Sequence, residues 1–173
     1  PGHVLIGLAS NGLHTNGYSL ARKVLFDTCR HTVDTELPEL DGSLGDVLLR
    51  PHLCYYPAIR QALDDGLPLH GLAHITGGGL YDNVPRVLPA GVVAEIDSNT
   101  FDCPPIFKII REAGGISDGD MFHAFNMGIG MVWMVPAAST DAAIATAAAC
   151  GFRAMSIGSI VSGDGGVRID GEG

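Results

Sequence analysis

Short apolar runs alternate along this chain with stretches whose apolar residues recur every three or four positions. The first run, His3 to Ala9 (HVLIGLA), is rich in β-formers and predicts a buried strand. A polar loop, Ser10 to Gly17, separates it from Tyr18 to Phe26, where Leu20, Ala21, Val24 and Leu25 share one helical face while Arg22 and Lys23 point elsewhere. Ala58 to Asp65 repeats that amphipathic spacing and is closed by Gly66, and Leu67 to Ala73 predicts the next strand. Helical spacing returns from Leu80 to Leu88, limited by Pro85 and Pro89, before a strand at Gly91 to Ile96. Pro104-Pro105 opens a helix with an apolar face of Ile106, Phe107, Ile109 and Ile110, ended by Gly114-Gly115. Ser117 is placed to cap a helix running through Phe122. Met131 to Val135 predicts a strand stopped by Pro136, and Met127 and Met131 read as core filler. Alanine-rich Ser139 to Cys150 predicts a helix, Phe152 to Val161 a strand, and Val167 to Ile169 its hairpin partner across the turn Gly163 to Gly166.

Between these elements, Arg30 to Gly45 is an acidic, Pro- and Gly-containing surface excursion, followed by a short helix near Asp46 to Leu49. Strands and helices thus alternate, in places with more than one helix between strands. The expected fold is α/β (α+β), a mixed β-sheet flanked by helices. No repeat, linker or low-complexity stretch divides residues 1–173, so a single domain is expected.

Composition narrows the function classes. Hydrophobic residues make up 46% of the 173 and charged ones 17%, enough to bury a substantial core. The net charge of −9 disfavours sequence-blind nucleic-acid binding and anionic membrane surfaces, both of which need basic patches. No apolar run approaches a membrane span, and no basic-then-apolar signal pattern opens the sequence at Pro1. Cys29, Cys54, Cys103 and Cys150 lack CxxC spacing and read as free, mostly buried thiols of a reducing compartment, so the expected location is cytoplasmic.

Candidate chemistry centres on His74-Ile75-Thr76-Gly77-Gly78-Gly79, between a strand and a helix. Three glycines allow positive φ and bring backbone N–H groups close to a bound anion, and a helix starting after Gly79 would add its first free amides. Thr76 would cap that helix. The loop Ser10 to Gly17 has the same strand–loop–helix layout, with Asn16 a candidate N-cap for the Tyr18 helix. His70 and His74, four apart on the predicted strand, would face one side, but no third ligand has recognisable spacing and no protein-only metal site is expected.

The stretches Ser10-Asn11-Gly12-Leu13-His14-Thr15-Asn16-Gly17-Tyr18-Ser19-Leu20-Ala21-Arg22, His74 to Gly79, Asn83-Val84-Pro85-Arg86-Val87-Leu88-Pro89 and Phe125-Asn126-Met127-Gly128-Ile129-Gly130-Met131 stand in that order. Together they closely resemble the carboxy-terminal half of phosphoribosylformylglycinamidine cyclo-ligase (aminoimidazole ribonucleotide synthetase), from about Pro1 to Ile169. The resemblance implies ATP- and Mg²⁺-dependent closure of formylglycinamidine ribonucleotide to aminoimidazole ribonucleotide in purine biosynthesis. It further implies a homodimer of two-domain chains, whose amino-terminal barrel domain supplies most of the nucleotide and metal site. Nothing in this sequence matches that domain, so half of an active site is expected here, with a phosphorylated ribonucleotide and an amino-terminal domain, in the same or a separate chain, as partners.

On this resemblance His14 and His74 are the expected proton-exchanging catalytic residues. Asn11, Asn16, Gly17, Thr76, Gly77, Gly78, Gly79 and Asn126 are the expected substrate- and phosphate-binding residues, Asn126 orienting an amide or ribose. The chain also departs from the family pattern. Where relatives typically read Leu-Leu-x-Pro-Thr-Arg-Ile-Tyr, it has Leu48-Leu49-Arg50-Pro51-His52-Leu53-Cys54-Tyr55, and His3 and Asn11 stand where Asp and Ser are usual. Leu53 cannot supply the bidentate phosphate recognition of an arginine. Alternatives within the superfamily are formylglycinamidine synthase, selenophosphate synthetase and thiamine-phosphate kinase types; outside catalysis, a ribonucleotide-binding or assembly module.

Overall fold

A computed structural model describes residues 1–170. Six strands form one sheet in the order β2-β4-β1-β5-β3-β6. They are β1 (His3–Ala9), β2 (Gly71–His74), β3 (Val92–Asp97), β4 (Ile129–Pro136), β5 (Ala154–Ser162) and β6 (Val167–Asp170). The helices are α1 (Tyr18–Arg22), α2 (Leu44–Leu48), α3 (Tyr56–Asp64), α4 (Gly79–Asn83), α5 (Pro105–Gly114), α6 (Asp118–Ala124) and α7 (Thr140–Ala149). Every pairing is antiparallel except β3 with β6, so the sheet is mixed, as expected.

Helices cover both faces. On one, α1, α2, α5 and α6 contribute Ala21, Leu44, Phe107 and Met121 to a cluster with Leu5, Val132 and Met134 of the sheet. On the other, Ala58 and Ala62 of α3 and Ala143 and Ala147 of α7 pack on Ile6, Leu8, Trp133 and Val135. β4 is therefore buried on both sides, which is why its sequence is continuously apolar rather than alternating. Small alanines on α3 and α7 let these helices lie close to each other and to the large Trp133.

Several boundaries differ from expectation for identifiable reasons. The Leu67 to Ala73 strand is shorter and shifted, because the Leu67 amide closes α3 on Ala62 O and Pro68 has no N–H for a ladder; pairing begins only at Gly71 and includes His74. The α1 helix runs past Phe26 as a π-helical stretch, Lys23–Thr28, with Cys29 N donating to Val24 O. Beyond α4 the chain tightens into a 3₁₀ turn, Val84–Val87, at Pro85. The expected hairpin of Val167 to Ile169 with the preceding strand does not form. β5 already has β1 on one edge and β3 on the other, so the turn crosses the start of β3, where Gly163 N donates to Gly91 O, and β6 adds in parallel on its far side.

The thiols are all free but none is buried: Cys54 and Cys103 are exposed, Cys29 and Cys150 half-buried. Both methionines read as core filler are buried. Among the described residues no helix is long and apolar enough to cross a membrane.

Candidate functional site

Antiparallel pairing of β4 with both β1 and β2 places the C-terminal ends of β1 and β2 beside the N-terminal end of β4: Ala9 pairs with Ile129 and His74 with Met131. The loops after β1 and β2 and the loop before β4 therefore emerge at one edge of the sheet. These are the three loops carrying Ser10 to Gly17, Ile75 to Gly79 and Asn126 to Gly128. Backbone bonds join them, from Ser10 N to Gly128 O at 2.8 Å and from Ile75 N to Gly130 O at 2.9 Å.

His14 and His74, which belong to separate motifs, meet here through a third ring. His52 stacks on His14 with centroids 4.0 Å apart and an interplanar angle of 19°, and its Nε2 lies 3.0 Å from His74 Nε2. His52 Nδ1 is 3.3 Å from the Thr15 hydroxyl. Tyr55 backs the group, its ring centroid 6.1 Å from that of His14 and 6.4 Å from that of His74, and it donates to Ala9 O at 2.8 Å. Gly130 makes room for this packing: a Cβ there would fall 2.0 Å from Tyr55 Oη and 2.7 Å from His14 Cε1.

His14 is 4% exposed, and neither ring nitrogen has a hydrogen-bond partner among the described residues. Burial, reinforced by the neighbouring His52 and His74 rings, lowers its pKa from 6.5 to about 4, so the ring is neutral at pH 7. Burial and His74 lower His52 as well. His14 also has φ of 58°, and Met127 in the adjoining loop 49°, a left-handed backbone that costs a non-glycine residue about 1–2 kcal/mol. Strain of this kind at a site is held in place by its surroundings. His74, in contrast, is exposed.

The glycine loop is pinned from beneath by Asn83, 4% exposed. Its Nδ2 donates to Gly79 O at 2.8 Å, Gly77 O at 3.2 Å and Thr76 O at 3.3 Å, while Oδ1 accepts from Thr76 Oγ1 at 3.1 Å. Thr76 thus braces the loop and does not cap α4, whose N-cap is Gly78 in a left-handed conformation. Gly79 has φ of 58°, and a Cβ on it would stand 1.8 Å from Phe122 O, so only glycine fits. Gly77 has no such constraint: its nearest neighbour would be Asn16 Oδ1 at 3.8 Å. The Gly77 and Gly78 amides have no acceptor among the described residues. Asn16, expected to cap α1, instead lies against the glycine loop, and the cap position is taken by Gly17, pressed against Phe125.

Two expected binding residues are turned into the protein. Asn126, 2% exposed, donates from Nδ2 to Gly12 O at 2.8 Å and accepts at Oδ1 from Ser10 Oγ at 2.7 Å and Gly128 N at 2.9 Å. Its amide stitches two loops together, and both oxygen lone pairs are occupied within the protein. Asn11 donates to Pro51 O at 3.0 Å, leaving a buried Oδ1 without a partner. It lines a separate cavity of about 290 Å³ with Arg50 and Arg153, each ion-paired, to Asp41 and Asp102.

His70 and His74 do not face one side. His70 precedes β2 and turns to His3, with Nδ1 2.6 Å from His3 Nε2, beside Val92, Met134 and Ile160. Among the described residues no group of three His, Cys, Asp or Glu side chains is arranged to hold a metal ion. Tyr55 and Asn83 are site members that local pattern does not mark, and His52 stands out in the sequence only as a departure. The available signal is position: Asn83 opens, Tyr55 ends and His52 interrupts a motif already singled out.

Fold and site together define a class: an α/β domain whose mixed sheet gathers a glycine loop, a polar loop and a histidine cluster along one edge. The chain belongs to the AIR synthase related protein family, matching its C-terminal domain over residues 1–171. It is 49% identical over 166 residues to the phosphoribosylformylglycinamidine cyclo-ligase of Shouchella clausii (strain KSM-K16), covering 96% of this chain and 48% of that protein. Against the protein of the same name from Geotalea daltonii (strain DSM 22248 / JCM 15807 / FRC-32) the identity is 46% over 167 residues, 96% of this chain and 48% of the relative. The chain thus spans about half the length of the curated relatives it matches. Solved structures share the fold at low identity. They include a thiamine-monophosphate kinase from Stenotrophomonas maltophilia K279a, at TM-score 0.62 and 18% identity over 99% of this chain and 51% of the other. E. coli HypE, a hydrogenase maturation protein, has TM-score 0.59 and 19% identity over 98% and 46%.

Proposed function

We propose that this chain supplies the carboxy-terminal half of the site of an ATP-dependent cyclo-ligase that closes formylglycinamidine ribonucleotide to aminoimidazole ribonucleotide. The observation that carries the reading is the convergence of three separately encoded family motifs on one sheet edge, in a chain 49% identical to a protein named for that activity. Ring closure requires a poor leaving group, an amide oxygen, to be phosphorylated before a substrate nitrogen attacks the same carbon, so phosphate must be held and protons moved. The free Gly77 and Gly78 amides, with Asn16 beside them, are the groups this chain offers to phosphate. His74 is open to a ligand, and neutral, desolvated His14 favours proton acceptance only once a charge partner arrives.

ATP and Mg²⁺ are assigned, on the family resemblance, to an amino-terminal domain. Leu49 and Tyr56, 82% and 65% exposed, flank the His52 segment and favour a covering domain or second subunit there; a homodimer working in the cytoplasm follows from this reading. Phosphate release from ATP with formylglycinamidine ribonucleotide is the test, comparing the chain alone with the chain plus a cyclo-ligase amino-terminal domain. Turnover in the mixture, lost at least ~100-fold on replacing His14 and His74 with Asn, supports the reading. An assembled mixture without turnover sinks it.

A further inference from the structure

The His52 ring sits between two others and uses both of its nitrogens: Nε2 lies 3.0 Å from His74 Nε2, and Nδ1 lies 3.3 Å from Thr15 Oγ1. Two facing Nε2 atoms at that separation share one proton, since two lone pairs repel and two N–H groups clash. The bond therefore has two arrangements. In one, His74 Nε2–H donates to His52, whose own proton is on Nδ1 and donates to Thr15; His74 then presents a bare Nδ1. In the other, His52 Nε2–H donates to His74, Thr15 O–H donates to His52 Nδ1, and His74 presents Nδ1–H. Both ends of the chain of atoms are accessible, because His74 and Thr15 are exposed while His52 is half-buried. The stacked face of His14 holds the middle ring in plane.

We infer that His52 is a positioning residue that relays a proton between His74 and the Thr15 hydroxyl, so that its tautomer decides whether His74 meets a ligand as base or as acid. The step balances without a co-reactant. A ligand proton binds His74 Nδ1 as the His74 Nε2 proton passes to His52 Nε2; the His52 Nδ1 proton passes to Thr15 Oγ1, whose own hydroxyl proton leaves to water. Reversal returns a proton to the ligand. Burial, with the neighbouring His74 ring, holds His52 below the ordinary histidine range, which favours the neutral ring that this exchange uses. A threonine, usual at this place in the family, has a single hydroxyl and cannot span the same two partners as an imidazole does. The inference rests on the cyclo-ligase reading for what His74 faces, but its geometry is a property of this chain alone.

The deciding measurement uses the full chain with ¹⁵N-labelled histidine, reading the tautomer of each ring from long-range ¹H–¹⁵N spectra at about pH 8. In the unmodified chain the facing nitrogens of His52 and His74 should resonate between the protonated and bare positions, reporting exchange. His52→Phe keeps a ring on His14 and removes both nitrogens; His74 should collapse to one tautomer. Thr15→Val, at an exposed position, should shift His52 towards the form that donates to His74. His74 signals unchanged by His52→Phe, or a single fixed tautomer in the unmodified chain, would overturn the relay. In the complete assembly His52→Gln, which hydrogen-bonds but cannot exchange tautomers, should lower kcat about tenfold with KM within about twofold; an unchanged kcat overturns it too. The spectra need no substrate, so an unmodified assembly without turnover counts against the cyclo-ligase reading, while the tautomer comparison still decides the relay.

Discussion

The two halves of the site are held in place by different means. The glycine loop is a backbone structure: Asn83 grips three of its carbonyls, and Gly79 fits under Phe122 O only because it has no side chain. The histidine cluster is a side-chain structure, made of a stack, one nitrogen–nitrogen contact and a buried ring whose polar atoms have no partner among the described residues. The first kind of region admits almost no substitution at Gly79, where packing and backbone conformation both require glycine. The second is built from side chains, and burial shifts two of its rings, His14 and His52, so its strength depends on pH. A site built on both joins a backbone floor fixed by packing to a wall of side chains.

The largest effect that would break the first half is Gly79→Ala. A Cβ 1.8 Å from a carbonyl oxygen, on a residue at φ of 58°, adds overpacking to backbone strain, and a loss of about 3 kcal/mol or more is expected in urea unfolding. Little change would mean that α6 yields and the floor is not rigid.

The second half should reveal itself by pH. His14 has its folded pKa depressed to about 4 against 6.5, so between those values the unfolded chain binds the proton and the folded one does not. Stability is full above about pH 6.5 and is lost as pH falls towards 4, by at most about 3 kcal/mol, with His52 shifted in the same direction. His14→Phe should flatten that slope in denaturation curves taken at several pH values; an unaltered slope would place its origin elsewhere.

Asn83→Ala comes next, at about 2 kcal/mol, because buried carbonyls of the loop lose their donor. If stability falls and the Gly79 amide, which donates to Thr76 O at 3.0 Å, remains protected from exchange, the loop holds its shape without the clamp. The smallest change in stability is expected of Gly77→Ala, within about 0.5 kcal/mol, since its Cβ would meet nothing closer than 3.8 Å. Its consequence should instead be weaker binding of inorganic phosphate, measured by calorimetry. Unaltered binding would remove the anion role from the one glycine of the three that packing leaves unexplained.

Local pattern carried much of the fold. Strand β1 is bounded as its β-forming run suggests, α5 starts at Pro105 and stops at Gly115, and Ser117 accepts from Asp120 N to cap α6. These features are decided within a few residues, by side-chain shape, missing N–H groups and short-range capping. Where a segment's hydrogen bonds are competed for by distant partners, local pattern failed. Val167 looked like a hairpin strand because a glycine turn precedes it, yet the edge it needed was already taken by β3. Asn16 looked like a cap and became a neighbour of Gly77, and Asn126 joins two loops that its own segment gives no sign of bringing together.

Residue identity by itself determined that this is an α/β chain with a glycine loop after one strand, a polar loop after another, and histidines beside both. Only the tertiary structure decided which histidines meet. Four residues along one chain separate His70 from His74, yet one pairs with His3 and the other with His52, because the ladder begins at Gly71 and period-two facing holds only within a ladder. His52 was a departure from a motif until folding set it on His14. Stacking and proton sharing need contact at 3–4 Å, and contact between residues so far apart in sequence is created by strand order and register, which no local pattern encodes.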